Sequence, residues 1–449
     1  MMRRNTKSQV EASPKMVVGL DIGTTKIMMA MGYLRHDGKI EVCGYGKAPS
    51  TGVMFGRVVN VQDTINGILA AKEMLQSTID EAVSEVYVGV AGRHVKSNIY
   101  SHSILRPNGL ETMVSEEEID EMGERMKQYS VPGHDVIAVI PQSYDVDGHT
   151  TLRPVGTLGQ KIIGTYQLIT GDQNEVKRIK FSVDGAQLEL KNLMLEPIAS
   201  GLACLTEEEK QQGVALVDIG GGTTDLIIFE SGVPLYIKVI PLGGQIVTRD
   251  IESLGLSYEQ AETLKIKHGT CFVNNADKNN FITIPDNSGY GNPLRINEYT
   301  LAQVINARVV RDILEPVKHE IEASGYGDKV RHIVLTGGGS MMRDIQHLSE
   351  YIIQRKTRIG IPNCAINNSV DPALKEPICA TALGLLKLGC LSEATPFEPV
   401  YHTPDSDEEM KSSKGGWSSH KSPKGPASPF YAGIANWLKK VTCAGPGLE

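Results

Sequence analysis

The chain has 449 residues, of which 41% are hydrophobic and 22% charged, a composition typical of a folded protein with two or three domains. Its formal net charge of −8 argues against a nucleic-acid partner, because no excess of positive charge covers the chain. The seven cysteines lack C-x-x-C spacing, and the chain shows neither 18 consecutive apolar residues nor a signal-peptide core, so we expect a cytoplasmic protein with reduced thiols and no zinc site.

The first predicted strand, residues 16–20, follows an N-terminal extension of residues 1–15 and leads into a turn at residues 21–26 with the sequence DIGTTK. Glycine has no Cβ, so backbone N–H groups can approach phosphate oxygens there, and the threonine hydroxyls add donors. The aspartate can hold a hydrated Mg²⁺ and the lysine adds a positive charge. The candidate residues of this first phosphate turn are Asp21, Gly23, Thr24, Thr25 and Lys26.

A predicted helix at residues 61–81 and a strand at residues 85–92 come next, with no room for a large insertion before the helix. The extra material lies after the strand, at residues 96–169, and is called the inserted subdomain here. We therefore expect a compact unit that interrupts a larger α/β domain.

The inserted subdomain contains a charged helix for which Ser115 and Glu118 form a capping box. Two strand-like runs follow, at residues 135–141 and 144–148. The subdomain is predicted to be a small mixed unit of helix and sheet.

A second short apolar strand, residues 214–217, leads into the turn DIGGGTTD at residues 218–225. Either turn alone is equally compatible with a simple tight turn between strands, but two of one design predict a clamp for phosphate groups. The candidate residues of this second phosphate turn are Asp218, Gly220, Gly221, Gly222, Thr223, Thr224 and Asp225.

A third glycine motif, TGGGS, follows a predicted strand near residue 335, so bare backbone can lie against a flat or charged group. The chain contains no G-x-x-x-x-G-K-[ST], and no G-x-G-x-x-G follows a strand, which argues against a Walker A loop and a Rossmann domain. The candidate residues of this motif are Gly337, Gly338, Gly339 and Ser340.

The three motifs resemble the phosphate 1, phosphate 2 and adenosine motifs of the actin, sugar-kinase and DnaK-type ATPase superfamily. Residues 196–201 and 377–386 are similar to the two connecting segments of that superfamily. The resemblance covers residues 16 to about 390. It implies an α/β, actin-like (ribonuclease H-like) two-domain ATPase fold that binds ATP and Mg²⁺.

The position of the inserted subdomain departs from actin, MreB and the chaperones, whose first small subdomain comes earlier in the chain. It resembles the FtsA family of actin-like cell-division proteins, with the subdomain called 1C. The pilus-assembly protein PilM shares this topology and is the nearest alternative. The resemblance implies a first half (16–95 and 170–200), a second half (201–242 and 330–390) and a second small subdomain (243–329).

The chain's C-terminal part is rich in Pro, Ser, Gly and charged residues from 391 to 428, which predicts a flexible linker. Residues 429–443 then place apolar and aromatic side chains on one helical face, beside lysines. This tail helix suits the surface of an anionic membrane, although it could instead fold back on the body or occupy a partner's groove. The predicted membrane residues are Phe430, Tyr431, Ile434, Trp437, Leu438, Lys439, Lys440 and Val441.

The resemblance implies roles for these residues. Both phosphate turns grip the phosphates, and Asp21 and Asp218 hold Mg²⁺ through water. The adenosine lies between Gly337–Ser340 and a second group of contact residues in the second small subdomain. At most a slow ATPase is expected, with Asp21, Glu196 and Asp225 as its catalytic carboxylates. The implied adenosine contacts of the second small subdomain are Gly243, Gly244, Glu262 and Lys265.

The FtsA resemblance further implies head-to-tail filaments, an anionic membrane surface, other division proteins and the FtsZ C-terminal peptide as partners. Such a protein would lie on the cytoplasmic face of the cell membrane at the septum. The FtsZ peptide site is expected on a helix at residues 301–311, where Arg308 and Arg311 could pair with acidic groups. A small-molecule kinase is a rival from another class, but it would leave the tail helix without a purpose. The stretch 271–297 has no assigned role.

Overall fold

The computed structural model describes residues 14–35, 39–108, 110, 112–285, 293–362 and 371–394. The tail helix predicted at residues 429–443 lies outside these residues, as does all of the predicted linker beyond residue 394. Within the described part, no helix has the length and apolar character needed to cross a bilayer.

The first 204 residues hold the first half and the inserted subdomain. Their strands are β1 (Val17–Ile22), β2 (Lys26–Leu34), β3 (Ile40–Pro49), β4 (Val53–Met54), β5 (Arg57–Val58), β6 (Glu85–Val90), β7 (Val95–Leu105), β8 (His134–Val146), β9 (His149–Thr151), β10 (Lys161–Asp172) and β11 (Glu189–Leu195). Their helices are α1 (Val61–Gln76), α2 (Glu116–Lys127), α3 (Gln173–Gly185) and α4 (Glu196–Cys204).

The rest of the described chain forms the second half, its small subdomain and a final helix. The strands are β12 (Val214–Ile219), β13 (Thr224–Glu230), β14 (Val233–Ile240), β15 (Phe281–Ile284), β16 (Leu294–Asn297), β17 (His332–Thr336) and β18 (Lys356–Ile359). The helices are α5 (Glu207–Gln212), α6 (Gly244–Glu252), α7 (Tyr258–His268), α8 (Glu298–Arg308), α9 (Glu315–Ala323), α10 (Ile345–Ile353) and α11 (Ala380–Ala394).

The two halves have sheets of the same topology. The first has the order β11-β6-β1-β2-β3 and the second β18-β17-β12-β13-β14, with three antiparallel strands followed by two parallel ones in each. β1 and β12 occupy the centres, and every residue of both strands is buried, as expected for strands covered on both faces. This duplicated α/β arrangement confirms the predicted actin-like architecture and brings the two phosphate turns to corresponding positions.

The inserted subdomain is an antiparallel sheet, β7-β10-β8-β9, with α2 packed against it. Its core contains Met122 and Met126 of α2 and aromatic and aliphatic residues of the sheet. The predicted capping box is present, because the Ser115 and Glu118 side chains bond each other's backbone N–H groups. The two strand-like runs predicted at residues 135–141 and 144–148 are not separate strands: 134–146 form the single strand β8, with a bulge at Gln142.

The final helix α11 packs against β1, β2 and β6 and crosses α4. A Cβ built on Gly384 would lie 1.9 Å from the carbonyl oxygen of Ala199, so only glycine permits this crossing. The sequence assigned residues 380–390 to the second half and residues 391–394 to the linker. The structure corrects both assignments, because one helix through Ala394 covers the first sheet.

Candidate functional site

The two phosphate turns contact each other at the base of a cleft between the halves. A Cβ on Gly221 would lie 2.4 Å from the methyl carbon of Thr25, and one on Gly222 would lie 2.6 Å from the hydroxyl oxygen of Thr24. At residue 222 a Cβ would also lie 2.9 Å from the backbone nitrogen of Phe55, so glycine is a steric requirement there, whereas at residue 221 a Cβ would displace the Thr25 side chain. The turns are hairpins of the same kind, in which Gly23 N donates to Lys26 O and Gly220 N donates to Thr223 O.

The cleft contains about 820 Å³ of empty space, a volume that includes open solvent at its mouth. The third glycine motif contributes Gly337 and Gly338 to its wall. The predicted site residues that line the cleft are Asp21, Gly23, Thr24, Thr25, Lys26, Glu196, Asp218, Gly220, Gly221, Gly222, Thr223, Asp225, Gly337 and Gly338.

Three predicted residues of the glycine motifs are not among those that line the cleft. The Thr224 hydroxyl donates to the carbonyl of Leu242 at 2.8 Å, so it is engaged away from any phosphate. Ser340 donates to the carbonyl of Gly337 at 2.8 Å, and a Cβ on Gly339 would lie 2.3 Å from Ile219. Contact of these three residues with a nucleotide stays a prediction.

Four buried or half-buried carboxyl groups converge on the cleft, those of Asp21, Glu196, Asp218 and Asp225. Burial, and then the neighbouring aspartates, raise the pKa of Glu196 and of Asp225 well above the ordinary values. Burial also raises the pKa of Asp218. Asp218 and Asp225 are direct cross-strand partners in the β12–β13 ladder, a placement in which like charges are destabilising.

One cation of the chain lies within this acidic group. Lys26 forms a salt bridge with Asp21. Burial lowers the pKa of Lys26, but the charge and hydrogen bond of Asp21 outweigh it, so the pKa is raised overall. One lysine balances one carboxylate, and the remaining carboxyl groups favour a further cation.

The residues present fit a hydrated divalent ion better than a directly ligated one. Within the described chain, no three His, Cys, Asp or Glu side chains are placed to ligate one metal ion. However, Asp225 Oδ1 is buried and has no hydrogen-bond partner among the described residues. An unpaired buried acceptor and the excess of carboxylates match an ion such as Mg²⁺, which keeps several of its waters.

Asp218 is fixed by two hydroxyl groups that the sequence did not single out as site residues. Ser200 Oγ of α4 donates to Asp218 Oδ2 at 2.6 Å, and Thr381 Oγ1 of α11 donates to the same oxygen at 3.1 Å. Both residues lie in the predicted connecting segments, but only the folded structure brings their hydroxyls to this carboxylate.

The predicted adenosine contacts of the second small subdomain form one cluster. Lys265 Nζ donates to Gly244 O at 3.2 Å and to Glu262 Oε2 at 2.7 Å. Gly243 packs on the second phosphate turn, because a Cβ there would lie 2.6 Å from Gly220 O, and Gly244 N donates to that same oxygen. The lysine thus holds the start of α6 against the phosphate turn.

The predicted partner arginines lie on a longer and less regular helix than the sequence indicated. Residues 298–323 run continuously, but a π-helical segment, Val309–Leu314, interrupts them, so Arg308 and Arg311 do not share uniform α-helical spacing. Arg308 forms two hydrogen bonds with Asp250 and one with Asp312, whereas Arg311 contacts Asp312 and its side chain is 61% exposed. The predicted membrane residues, Phe430 to Val441, lie outside the described chain.

Comparison with known proteins identifies two matching family models. The model described as cell division protein FtsA matches residues 215–384, and that described as the SHS2 domain inserted in FtsA matches residues 92–170. The second match covers the inserted subdomain at nearly the predicted bounds.

Similar proteins match along most of the chain. A cell division protein FtsA of Neisseria meningitidis is 32% identical over 395 residues, covering 87% of this chain and 94% of that protein. One of Pseudomonas aeruginosa is 34% identical over 381 residues, covering 84% and 90%. The solved PilM-PilN type IV pilus biogenesis complex is similar in fold, with a TM-score of 0.60 and 18% identity over 83% of this chain and 98% of that chain. This likeness shows the actin-like fold and no more.

Proposed function

Because the chain belongs to the FtsA family of actin-like cell-division proteins, we propose that it binds ATP, forms filaments and tethers the FtsZ ring to the cell membrane. It acts on the cytoplasmic face at the division septum, where it also recruits other division proteins. One observation supports nucleotide binding above all. The two phosphate turns contact each other at the base of a cleft that is lined by glycines and carboxyl groups.

In this proposal the backbone N–H groups of both turns bind the phosphates of ATP. Glycine lets them approach closely, and the hydroxyls of Thr24, Thr25 and Thr223 add donors. Asp21 and Asp218 hold Mg²⁺ through water, and the ion neutralises phosphate charge when it is bound. Lys26 holds the Asp21 side chain in place through their salt bridge.

Hydrolysis depends on how well a water molecule is positioned. Glu196 and Asp225 are the candidates, because both lie at the cleft and Asp225 has an unpaired carboxylate oxygen. Gly89 makes room for Glu196, since a Cβ there would lie 2.9 Å from Glu196 Oε1. A slow ATPase that regulates assembly fits this arrangement better than rapid turnover.

Membrane attachment is assigned to the tail helix, residues 429–443. Six lysines and no Asp or Glu lie between Lys411 and Leu448, so this end of an acidic chain is locally basic. Each lysine near an anionic bilayer contributes about 1 kcal/mol, and the aromatic face adds apolar burial. The two contributions together anchor the protein peripherally.

The FtsZ C-terminal peptide is assigned to the surface around Arg308 and Arg311. Arg311 is the accessible charge of the pair, and Arg308 is held by Asp250 and Asp312. An acidic peptide there would be drawn to Arg311 first, with Arg308 shaping the helix beneath it.

Co-sedimentation with anionic vesicles in the presence of ATP tests the adaptor function. The full chain is compared with a truncation after Ser428 and with Trp437→Glu, each with and without the FtsZ C-terminal peptide. Trp417→Glu is the matched control, because it makes the same change in the linker. We expect the full chain and Trp417→Glu to pellet and carry the peptide, and the other two to stay in solution. Equal pelleting of the full chain and the truncation would contradict membrane attachment by the tail helix.

A further inference from the structure

The tight turn between β4 and β5, residues 53–58, lies at the junction of four parts of the molecule. Both central residues have positive φ, +51° at Phe55 and +69° at Gly56. The favoured two-residue hairpin turns include one with positive φ at both central positions, where a bulky residue such as phenylalanine is uncommon. The contacts of this turn show which parts of the molecule it joins.

The turn contacts both phosphate turns directly. Gly56 N donates to the Thr24 hydroxyl at 3.3 Å, and Gly56 also lines the cleft. On the other side, a Cβ on Gly222 would lie 2.9 Å from Phe55 N, so the backbones are in close contact. The Arg249 guanidinium of α6 lies 5.9 Å from the centre of the Phe55 ring. The turn therefore belongs to the first half and contacts the second half.

The same turn contacts both chain connections of the inserted subdomain. Gly92, where the matched SHS2 domain begins, has φ +121°, and a Cβ on it would lie 2.7 Å from Gly56 O. At the other connection, Arg57 forms a salt bridge with Glu175 of α3. The Glu175 side chain is 5% exposed, so this carboxylate depends on its arginine partners.

The junction beneath the turn has unused hydrogen-bonding capacity. Both ring nitrogens of His94 and the Oε2 atom of Glu175 are buried without a hydrogen-bond partner among the described residues. Buried polar groups in a single fixed arrangement are normally satisfied. The turn, the start of the inserted subdomain and α3 thus meet around buried polar groups that the described residues leave unpaired.

We propose that the turn at residues 53–58 is a positioning element that couples nucleotide binding in the cleft to the position of the inserted subdomain. A shift of either phosphate turn on binding phosphate passes to Phe55 and Gly56, because these residues contact both. Gly56 passes it to Gly92, and Arg57 passes it to Glu175. The inference rests on the proposed nucleotide binding and adds the route by which the nucleotide regulates a distant surface.

Hydrogen–deuterium exchange of the full chain, with and without Mg·ATP, tests this route. We expect ATP to slow exchange at the phosphate turns and also at residues 92–96 and 170–176. A coupling of ordinary strength changes exchange at the connections by about fivefold or more. In Arg57→Ala, ATP should still slow hydrogen exchange at the phosphate turns. Most of the ATP-induced slowing at residues 170–176 should be lost.

Arg178→Ala is the matched control. Arg178 also binds Glu175, at 3.1 Å, and its side chain is 45% exposed like that of Arg57, but it lies on α3 and not in the turn. It should keep the ATP-induced slowing. Arg57→Lys, which retains the charge, should restore part of the response and guards against a folding defect in the alanine variant.

The outcomes separate this inference from the proposed function. Protection at the phosphate turns with no change at either connection would overturn the coupling and leave nucleotide binding intact. An Arg57→Ala variant that responds like the wild-type chain would also overturn it. No protection anywhere would overturn both.

Discussion

Ser200 donates a hydrogen bond of 2.6 Å to Asp218, and this bond joins the helix α4 to the strand that carries the second phosphate turn. Thr381 of α11 donates to the same carboxylate oxygen, and α4 and α11 cross closely at Ala199 and Gly384. One aspartate of the cleft is therefore fixed by both helices that connect the halves. A rotation of one half against the other would therefore alter the hydrogen bonds of this carboxylate.

Removing the Ser200 hydroxyl should weaken Mg·ATP binding. Hydrogen bonds to charged groups contribute about 1.5–3 kcal/mol, so we expect Ser200→Ala to lose about tenfold or more in affinity. Ser349→Ala is the control, because Ser349 is buried and pairs with Thr357 at 3.1 Å away from the cleft. Calorimetric titration should find its affinity unchanged; an equal loss in both variants would show a general effect on folding.

The buried carboxyl group of Glu196 should make stability depend on pH. Its pKa in the folded protein is raised well above the ordinary 4.5, by burial and then by neighbouring aspartates, so the folded state binds the proton more tightly than the unfolded state. Stability without nucleotide should thus fall as the pH rises from about 4.5 towards the folded-state pKa.

Glu196→Gln removes this contribution. Thermal unfolding between pH 5 and pH 8 should show a shallower loss of stability than in the wild-type chain, whereas the exposed control Glu73→Gln should follow the wild type. An unchanged pH dependence in Glu196→Gln would contradict the burial of a proton-binding carboxyl group at this position.

Asp225→Asn should separate turnover from binding. The variant keeps the side-chain shape but loses the carboxylate charge that could orient a water, so ATP turnover should fall by about 100-fold, the usual scale for such groups. The affinity for Mg·ATP, titrated in parallel, should fall far less than the turnover. Phosphate release measures the turnover. Glu230→Gln, at the far end of the same strand, is the control and should keep wild-type turnover. Wild-type turnover in Asp225→Asn would exclude a catalytic role.

The two partner arginines should differ in what they stabilise. Arg311→Ala should weaken binding of the FtsZ peptide in fluorescence anisotropy with little change in melting temperature, because its ion pair is exposed to solvent. Arg308→Ala should also lower the melting temperature, since this side chain is 25% exposed and joins Asp250 to Asp312. Equal peptide binding by Arg311→Ala and the wild-type chain would show that the peptide does not bind at this helix.

The sequence was sufficient for the parts of the site whose chemistry is local. Each phosphate turn combines strand, aspartate, glycine and threonine within eight residues, so Asp21 and Asp218 could be identified before their environment was known. The capping box at Ser115 is equally local. Such features depend on backbone geometry over one or two turns of chain, which residue type largely determines.

Features that depend on distant partners were not predictable in this way. Thr381 reaches Asp218 from 163 residues away, and nothing in its own neighbourhood indicates that partner. Phe55 belongs to no motif in the sequence, and its contacts with Gly222 and Arg249 join it to distant parts of the chain. The placement of α11 was missed for the same reason, because a helix apolar on all sides does not reveal which sheet it covers.

Titration of the full chain with Mg·ATP, comparing the wild type with Gly221→Ala, tests the phosphate clamp most directly. A Cβ at residue 221 would lie 2.4 Å from the Thr25 methyl carbon and displace this side chain at the contact of the two phosphate turns. Gly123→Ala is the matched control, since a Cβ on this α2 residue meets nothing within 4 Å. We predict one site per wild-type chain, the same affinity in Gly123→Ala and an affinity lower by about tenfold or more in Gly221→Ala. Wild-type affinity in Gly221→Ala, or no binding by a folded wild-type chain, would contradict a phosphate clamp formed by the two turns.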